Sequence, residues 1–503
     1  MNSTRFRDLN LGRYSGGILL VVILLAVCLR LLGLSQQPLW YDEAVTFTRA
    51  SMDLSEAWRV TVETDSHPPF YYAIVRGFLV FGDTEVALRL FSVLSGILIV
   101  VLAFDFGRIL SGTTAGLTAA LLVAVSPLLI YYSQEARMYS LLAFGATLAS
   151  WAAVRLVSGW SAWEQMNDRP PRRDIWLSFL YVTGALGALL AHNSGPVFLF
   201  AINLAMLWPI LSCAKWRWQC AAHWSILQIL TLAVWFLWLP HLLHQASSGI
   251  PDWIQVGPST LIQVLNDFWL FGVWKPRTLL LPVLVGIFVW GVFLLRKQPW
   301  WAAFLVTLIL TPIIVLYVLS TWKPILVTRS VLYAAVPFLV LTAIVAVRIR
   351  PRILGFGLIA GILFLNVWSL HNYYSFYEKE RWDLVANHIA DSWRDGDSVA
   401  VLPGYLSKAL DYYWKRTGRS DELGRLSIVN GELSTDAKEL AQEFVADGRR
   451  LWLVQSRQQP HGRDSLAAKK IGDWGNLSNY WQFRGNGYEL NCNTTCIELF
   501  LFD

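Results

Sequence analysis

Charge is what this sequence has least of: 15% of its 503 residues are Asp, Glu, Lys or Arg, against about 25% in an ordinary soluble domain. That deficit excludes a conventional soluble enzyme. Runs of Lys and Arg interleaved with exposed aromatics are missing too, so the surplus of six positive charges reports basic loops beside a membrane rather than a nucleic-acid surface. The sequence shows no internal repeat and no low-complexity segment, which removes one signature common in transporters. Cysteine is scarce, five in all, and no second Cys/His pair with zinc-ligand spacing lies near the last two. What abounds is apolar surface: 55% hydrophobic residues, 26 Trp, 26 Phe and a mean hydropathy of +0.45. Such a chain has lipid as its main solvent and aromatic rings to spare for the headgroup zones.

A membrane span takes about 20 mostly apolar residues. That length predicts eleven spans, at 15–34, 86–107, 115–131, 138–157, 175–191, 195–213, 223–242, 278–295, 300–320, 328–347 and 352–371. The first follows Arg5, Arg7 and Arg13 and ends in Leu34-Ser35-Gln36-Gln37-Pro38 without a small-x-small cleavage site, so it reads as an uncleaved anchor with a cytoplasmic N-terminus. The apolar run over 70–81 is too short to span and is interrupted by Arg76. If it lies at the surface, Arg108, Arg155, Arg169, Arg172, Arg173, Lys215, Arg217, Arg296, Lys297, Arg348, Arg350 and Arg352 all fall on the N-terminal side, as basic loops should. If it spans, all of them flip outward. The surface reading places 35–85, 132–137, 192–194, 243–277, 321–327 and everything after 371 on the outer face; the basic loops fit a bacterial plasma (inner) membrane, and a eukaryotic endomembrane of the same polarity fits them as well.

The predicted architecture is therefore an all-α polytopic membrane domain over 1–371, with a long first outer loop at 35–85, and an outer soluble domain over 372–503. In that last part charges recur regularly. A β run at 397–402, a helix at 406–415, a strand at 426–429, a helix at 435–446 and a strand at 450–455 make an α/β alternation. Cys28, Cys213 and Cys220 belong to the inner half of the membrane, while Cys492 and Cys496 share the outer domain and are the pair expected to oxidise.

Polar residues gather at the outer turns. The first loop opens with Leu39-Trp40-Tyr41-Asp42-Glu43, two carboxylates beside lipid. One reading is a solvated acidic helix start; the other has one carboxylate accept a proton from an attacking hydroxyl while its neighbour holds a metal or an acceptor group. Further on, Asp65-Ser66-His67-Pro68-Pro69-Phe70-Tyr71-Tyr72 pins His67 at the surface ahead of a rigid Pro pair. A histidine so held is a solvated surface group, a phosphate ligand when protonated, or a metal ligand when neutral. The short second loop, Tyr131-Tyr132-Ser133-Gln134-Glu135-Ala136-Arg137-Met138-Tyr139, offers either an interfacial ion pair or a site where Arg137 grips an anionic headgroup and Glu135 handles a hydroxyl or metal. His192, Asn193, His241, His244, Lys323 and Arg329 add polar groups to the same face. Taken singly these are anchors, but three outer turns converge on one leaflet depth while the spans hold almost no charge. That suits a substrate with its head in water and its tail in lipid.

The ordered set Asp42-Glu43, His67-Pro68-Pro69-Phe70-Tyr71-Tyr72, Ala87-Leu88-Arg89-Leu90 and Gln134-Glu135-Ala136-Arg137-Met138-Tyr139 resembles family 39 of the GT-C glycosyltransferases, the superfamily of protein O-mannosyltransferases and the lipid A aminoarabinose transferase. The likeness is strongest over 35–150. It implies a GT-C-like fold with juxtamembrane helices in the first outer loop, and transfer of a sugar from a polyprenyl-phosphate donor to a glycan, lipid or protein acceptor at the outer face. Carried over residue by residue, it makes Asp42 the general base and Glu43 a positioner of the acceptor or a metal. His67, Arg137 and Arg329, the last in Arg329-Ser330-Val331-Leu332-Tyr333, become donor-phosphate ligands. Glu135 takes the second-loop acid role, and Tyr41, Tyr139 and His192 line the substrate. Single in-line attack would invert the anomer. Ser66 stands where the aminoarabinose branch has Glu, so a divalent ion is possible but no metal ligand is assigned. The competing classes are a lipid or polysaccharide transporter, which would need a polar path across the membrane, and a non-catalytic scaffold, which would tolerate Asp42→Asn and Glu135→Gln.

Overall fold

The computed structural model describes residues 3–65, 67–166, 174–213, 215–247, 256–272, 281–296, 298–419, 426–428, 450–456, 476–484 and 496–502. In order the helices are α1 (Ser3–Leu31), α2 (Tyr41–Ser51), α3 (Leu54–Thr64), α4 (Phe70–Phe78), α5 (Glu85–Ser111), α6 (Thr113–Ala124), α7 (Pro127–Ser133), α8 (Tyr139–Met166), α9 (Ile175–Ala191) and α10 (Gly195–Ser212). Then come α11 (Arg217–Trp235), α12 (Leu239–Ser247), α13 (Pro258–Leu270), α14 (Leu281–Leu294), α15 (Pro299–Leu319), α16 (Ala335–Arg348), α17 (Arg352–Phe376), α18 (Trp382–Asp391) and α19 (Ser407–Trp414). Strands β1 (Ser398–Leu402), β2 (Leu426–Ile428), β3 (Leu451–Ser456), β4 (Leu477–Arg484) and β5 (Cys496–Phe502) complete the chain. It divides into two compact units. The first holds Met1–Leu32, Met52–Gly82 and Ala87–His371; the second holds Gly33–Ser51, Asp83–Val86 and Asn372–Asp503. Thus α2, which sequence order assigns to the membrane domain, clusters with the C-terminal part.

Among the described residues of the first unit, seven helices are long and apolar enough to cross a membrane, or nine if each of two bent pairs is one span. The bent pairs are α6–α7, with a 56° break, and α11–α12, with a 59° break. The shorter apolar helices α9 and α14 occupy the remaining predicted windows. The segment over Phe70–Phe81 is α4 plus one 3-10 turn, well short of a span.

The break between α6 and α7 follows from Ser126-Pro127. Pro127 has no N–H for a continuing helix, and Ser126 Oγ accepts from Leu129 N at 3.4 Å as the cap of a new one. Carbonyls orphaned at the break find a partner in Arg30 near the end of α1, whose guanidinium donates to Val123 O at 3.3 Å and Ala124 O at 3.1 Å. Gly96 makes room, since a Cβ there would stand 2.7 Å from Arg30 Nε and 2.1 Å from Ser133 Oγ. Small residues likewise bring α8 and α9 together. A Cβ on Gly145 would meet Gly184 O at 2.6 Å, so the two backbones touch directly. The stretch Thr328–Arg348, a 3-10 lead and α16, is the most enclosed of the spans, with 94% of its window buried.

In the second unit a five-stranded sheet runs in the order β2-β1-β3-β5-β4. β1, β2 and β3 are parallel, and β5 pairs antiparallel to both β3 and β4. β1, α19, β2 and β3 sit where the sequence predicts them, while the predicted helix at 435–446 lies outside the described residues. The sequence reading lacks β4 and β5. Helix α2 packs on α19, with Phe47 and Tyr412 rings 4.9 Å apart.

Candidate active site

The tight turn that carries Glu135 and Arg137 is fixed from α1. Gln134 Nε2 donates to Arg30 O at 3.0 Å and Leu32 O at 2.7 Å, capping carbonyls at the end of that helix. Glu135, Arg137 and Tyr139 are all buried, 1%, 6% and 2% exposed. An Arg and a Glu enclosed at a helix end are not the loose interfacial pair the sequence also allowed.

Four chain segments of the first unit converge on Tyr139, at the start of α8. The Arg137 guanidinium lies 6.0 Å from its ring centroid and that of Arg329 5.7 Å. The His192 ring is 5.8 Å away and the Tyr132 ring 5.2 Å. His67, just before α4, stacks on His192, centroids 4.5 Å apart and tilted by 31°. Of the residues singled out from sequence, His67, Arg137, Tyr139, His192 and Arg329 are therefore neighbours, delivered by the turns before α4, before α8, after α9 and before α16.

Of the protonation states the sequence left open for His67, the electrostatics of this cluster favour the neutral one. His67 is held well below the usual histidine pKa, first by burial and then by the positive charges of Arg137 and Arg329. His192 is lowered likewise by burial and by His67, Arg329 and Arg137. Both rings are thus neutral at pH 7. Ser194 N donates to His192 Nδ1 at 3.0 Å, which leaves the ring proton on Nε2. His67 Nδ1 is buried and meets no hydrogen-bond partner, so the ring is oriented but not used up.

One contributor escaped sequence reading. Asp267, in α13 and 4% exposed, accepts from Thr328 Oγ1 at 2.6 Å and so ties down the residue next to Arg329. It lies amid an apolar helix with no motif around it, and only its charge marks it. Of the more remote candidates, His241 packs against Trp58 and Trp238, centroids 5.7 and 5.2 Å away, as an aromatic anchor.

Tyr41, Asp42 and Glu43 belong to the second unit, in the first turn of α2. The two carboxylates have separate fates. Glu43 is fully buried and ion-paired with Lys379, Nζ to Oε2 at 2.9 Å, so it is not a solvated helix start. Asp42 is half-buried. The Tyr41 ring meets that of Tyr405 at 5.0 Å. Among the described residues, no group of three or more His, Cys, Asp or Glu side chains is placed to hold a metal ion. Cys213 and Cys220 stand 3.4 Å apart, sulfur to sulfur, without a bond, and Cys492, of the expected oxidisable pair, lies outside the described residues.

The multi-pass helical bundle gathers buried arginines, histidines and a carboxylate at one set of helix ends, and by its likeness to solved structures the fold is GT-C-like. Two solved structures make the likeness specific. ArnT from Cupriavidus metallidurans bound to undecaprenyl phosphate matches with a TM-score of 0.61 at 14% identity, covering 97% of this chain and 98% of that one. The archaeal oligosaccharyltransferase AglB from Archaeoglobus fulgidus, in complex with an inhibitory peptide and a dolichol-phosphate, matches with a TM-score of 0.55 at 12% identity, covering 95% and 74%. At such identities the likeness establishes the fold. By sequence, residues 66–244 match the family described as Dolichyl-phosphate-mannose-protein mannosyltransferase, a range that contains His67, Glu135, Arg137, Tyr139 and His192. No curated protein sequence matches the chain.

Proposed function

We propose that this chain is an integral-membrane glycosyltransferase that moves a sugar from a polyprenyl-phosphate donor to an acceptor hydroxyl at the outer face of the membrane, inverting the anomeric centre. The observation that carries the reading is the pair of guanidiniums on Tyr139 beside two neutral histidines. Departure of a phosphate from an anomeric carbon places negative charge on its oxygens. Two fixed cations in a low-dielectric pocket stabilise that charge as it develops. Arg137 and Arg329 supply it, and planar guanidiniums suit paired phosphate oxygens. Neutral His67 contributes a hydrogen bond rather than a charge, and Glu135 balances the arginines and orients the sugar or the turn.

Asp42 is assigned the general base that takes the acceptor proton, an assignment that rests on the resemblance of the first loop. Glu43, held by Lys379, fixes the turn from which Asp42 projects. The undecaprenyl phosphate in the ArnT structure and the dolichol-phosphate in the AglB structure support a single-phosphate lipid carrier. No step is assigned to a metal. The acceptor class is a lipid-linked glycan, an envelope polymer or a protein.

The test is turnover by purified wild-type and Asp42→Asn protein in liposomes, offering a panel of polyprenyl-phosphate sugars with crude envelope acceptor and measuring release of polyprenyl phosphate. Wild type is expected to consume at least one donor and the variant to lose at least a hundredfold in rate. Consumption of none by wild type would remove the transferase reading.

A further inference from the structure

Helix α10 starts beside His192, at the candidate active site, and along its further half it borders a groove that the site does not use. Phe200, Asn203, Leu204, Leu207 and Ile210 recur at helical spacing and, with Trp224 of α11, line an open groove of about 230 Å³. From Phe200 to Ile210 the stripe covers about 15 Å of helix. The space exists because α10 packs mainly against α15 and meets α11 only lightly. Phe200, Leu204 and Leu207 are exposed large apolar side chains. The polar side chains in the lining are paired already: Trp224 Nε1 donates to Asn203 Oδ1 at 2.9 Å, and Asn203 Nδ2 donates to Leu199 O at 2.8 Å and to Gln228 Oε1 at 3.0 Å. A groove with its amide and indole groups so satisfied suits a hydrocarbon chain rather than a polar ligand.

Charge marks the end of the groove furthest from the active site. From 175 to 251 the sequence has no Asp or Glu, and Lys215 and Arg217 are its only Lys or Arg. Both are exposed, at the turn from α10 into α11, where Cys213 Sγ stands 3.4 Å from Cys220 Sγ and the two helix ends come together just beyond Ile210. Arg217 lies seven residues before Trp224, hence on the same face of α11 and two turns nearer its start. Asp174, the acid at the start of α9, is engaged as a cap and accepts from Leu177 N at 2.9 Å. Trp176 and Trp218, at the same end of the bundle, are exposed, as rings at headgroup depth are.

We infer that this groove binds one anionic phospholipid from the leaflet opposite the candidate active site, with an acyl chain along Phe200, Leu204 and Leu207 and the phosphate at Arg217 and Lys215. Two cations with no carboxylate on their own helices, set beside an apolar channel, match a ligand that is charged at one end and hydrocarbon at the other. A zwitterionic lipid offers the same chain but carries its own cation to the headgroup. A polyprenyl phosphate held at Arg137 and Arg329 would have its head at the start of α10, where the cations at the far end do not reach it. The inference stands whether or not the chain is a transferase.

The experiment uses the full chain, delipidated in detergent and titrated with phosphatidylglycerol, phosphatidylcholine or undecaprenyl phosphate, with bound lipids counted by native mass spectrometry. One phosphatidylglycerol is expected to bind saturably, about tenfold or more tighter than phosphatidylcholine. Lys215→Gln combined with Arg217→Gln is expected to remove that preference, at about fivefold for each charge. Leu207→Trp, which fills the groove from an exposed position, is expected to weaken both phospholipids while the unfolding temperature holds, and Arg296→Gln, which removes a cation outside the groove, to change nothing. The inference is overturned if the two phospholipids bind alike, if the double charge variant or Leu207→Trp binds like wild type, or if undecaprenyl phosphate displaces phosphatidylglycerol. It is overturned equally if Leu207→Trp dissociates a dimer of the chain, which would make the groove a helix interface.

Discussion

His67 shows how far a side chain can move from the role its neighbours in sequence suggest. Ahead of Pro68-Pro69 it looks like a surface group able to carry charge. Against His192, and near Arg137 and Arg329, it is kept neutral. Its lowered folded-state pKa means that stability is full above the unfolded value of about 6.5 and is lost as pH falls from there toward the folded pKa, because the unfolded chain takes up the proton first. Thermal unfolding of wild type should therefore fall off below about pH 6.5, and His67→Asn should flatten that slope; equal slopes would mean the ring is solvated. Lys379 is the second case. With Glu43 it forms an ion pair enclosed on both sides, 3% and 0% exposed, and Lys379→Ala removes the cation paired with a buried carboxylate. A loss of about 3–5 kcal/mol is expected in denaturant titration, with partial recovery when Glu43→Gln is added.

At the scale of elements, breaks in the helices are what aim the polar groups. Had α6 and α7 been one straight helix, the turn with Glu135 and Arg137 would leave along a different direction. Arg30 satisfies the carbonyls of that break from a neighbouring helix. Arg30→Leu should leave Val123 O and Ala124 O unmet at a cost of about 1–3 kcal/mol, and should lower donor turnover through the second loop while Gly159→Ala, with nothing within 4 Å of its added methyl, changes neither. Unfolding curves together with the polyprenyl-phosphate release assay distinguish the two variants. The α8–α9 contact at Gly145 and Gly184 serves the same end, because α9 delivers His192 to Tyr139.

For the whole molecule, the distribution of basic residues predicts the sidedness. Trp322, 75% exposed between α15 and the 3-10 lead to α16, is assigned to the outer face, and Arg296, beyond α14, to the inner. In a cysteine-free background, Trp322→Cys should react with a membrane-impermeant maleimide in cells with a permeable outer envelope, and Arg296→Cys only in inverted vesicles. The opposite pattern would make the segment over 70–81 a span. The charges within the spans also sit near helix ends: Arg30 and Arg89 toward one end, and Asp105, joined to Arg108, Arg155 and Trp151, toward the other. A lipid with a polar head at one boundary fits such a bundle better than a solute crossing its middle.

The sequence by itself determined the membrane class, the apolar windows and most of the parallel strands of the C-terminal sheet, because apolar run length and local periodicity are properties of contiguous residues. It also marked His67 and Arg137 by a charge or ring at the lipid boundary, where polar groups are costly, while Tyr139, His192 and Arg329 were singled out through the resemblance to family 39. Their gathering around one ring was decided by tertiary structure, since it depends on four turns set by helix breaks and close helix contacts. So was the neutrality of the histidines, which comes from burial and from cations far away in the chain. The pairing of Glu43 with Lys379, more than three hundred residues on, and that of β5 with β3 were decided the same way. Long-range register and desolvation leave no trace in a local pattern.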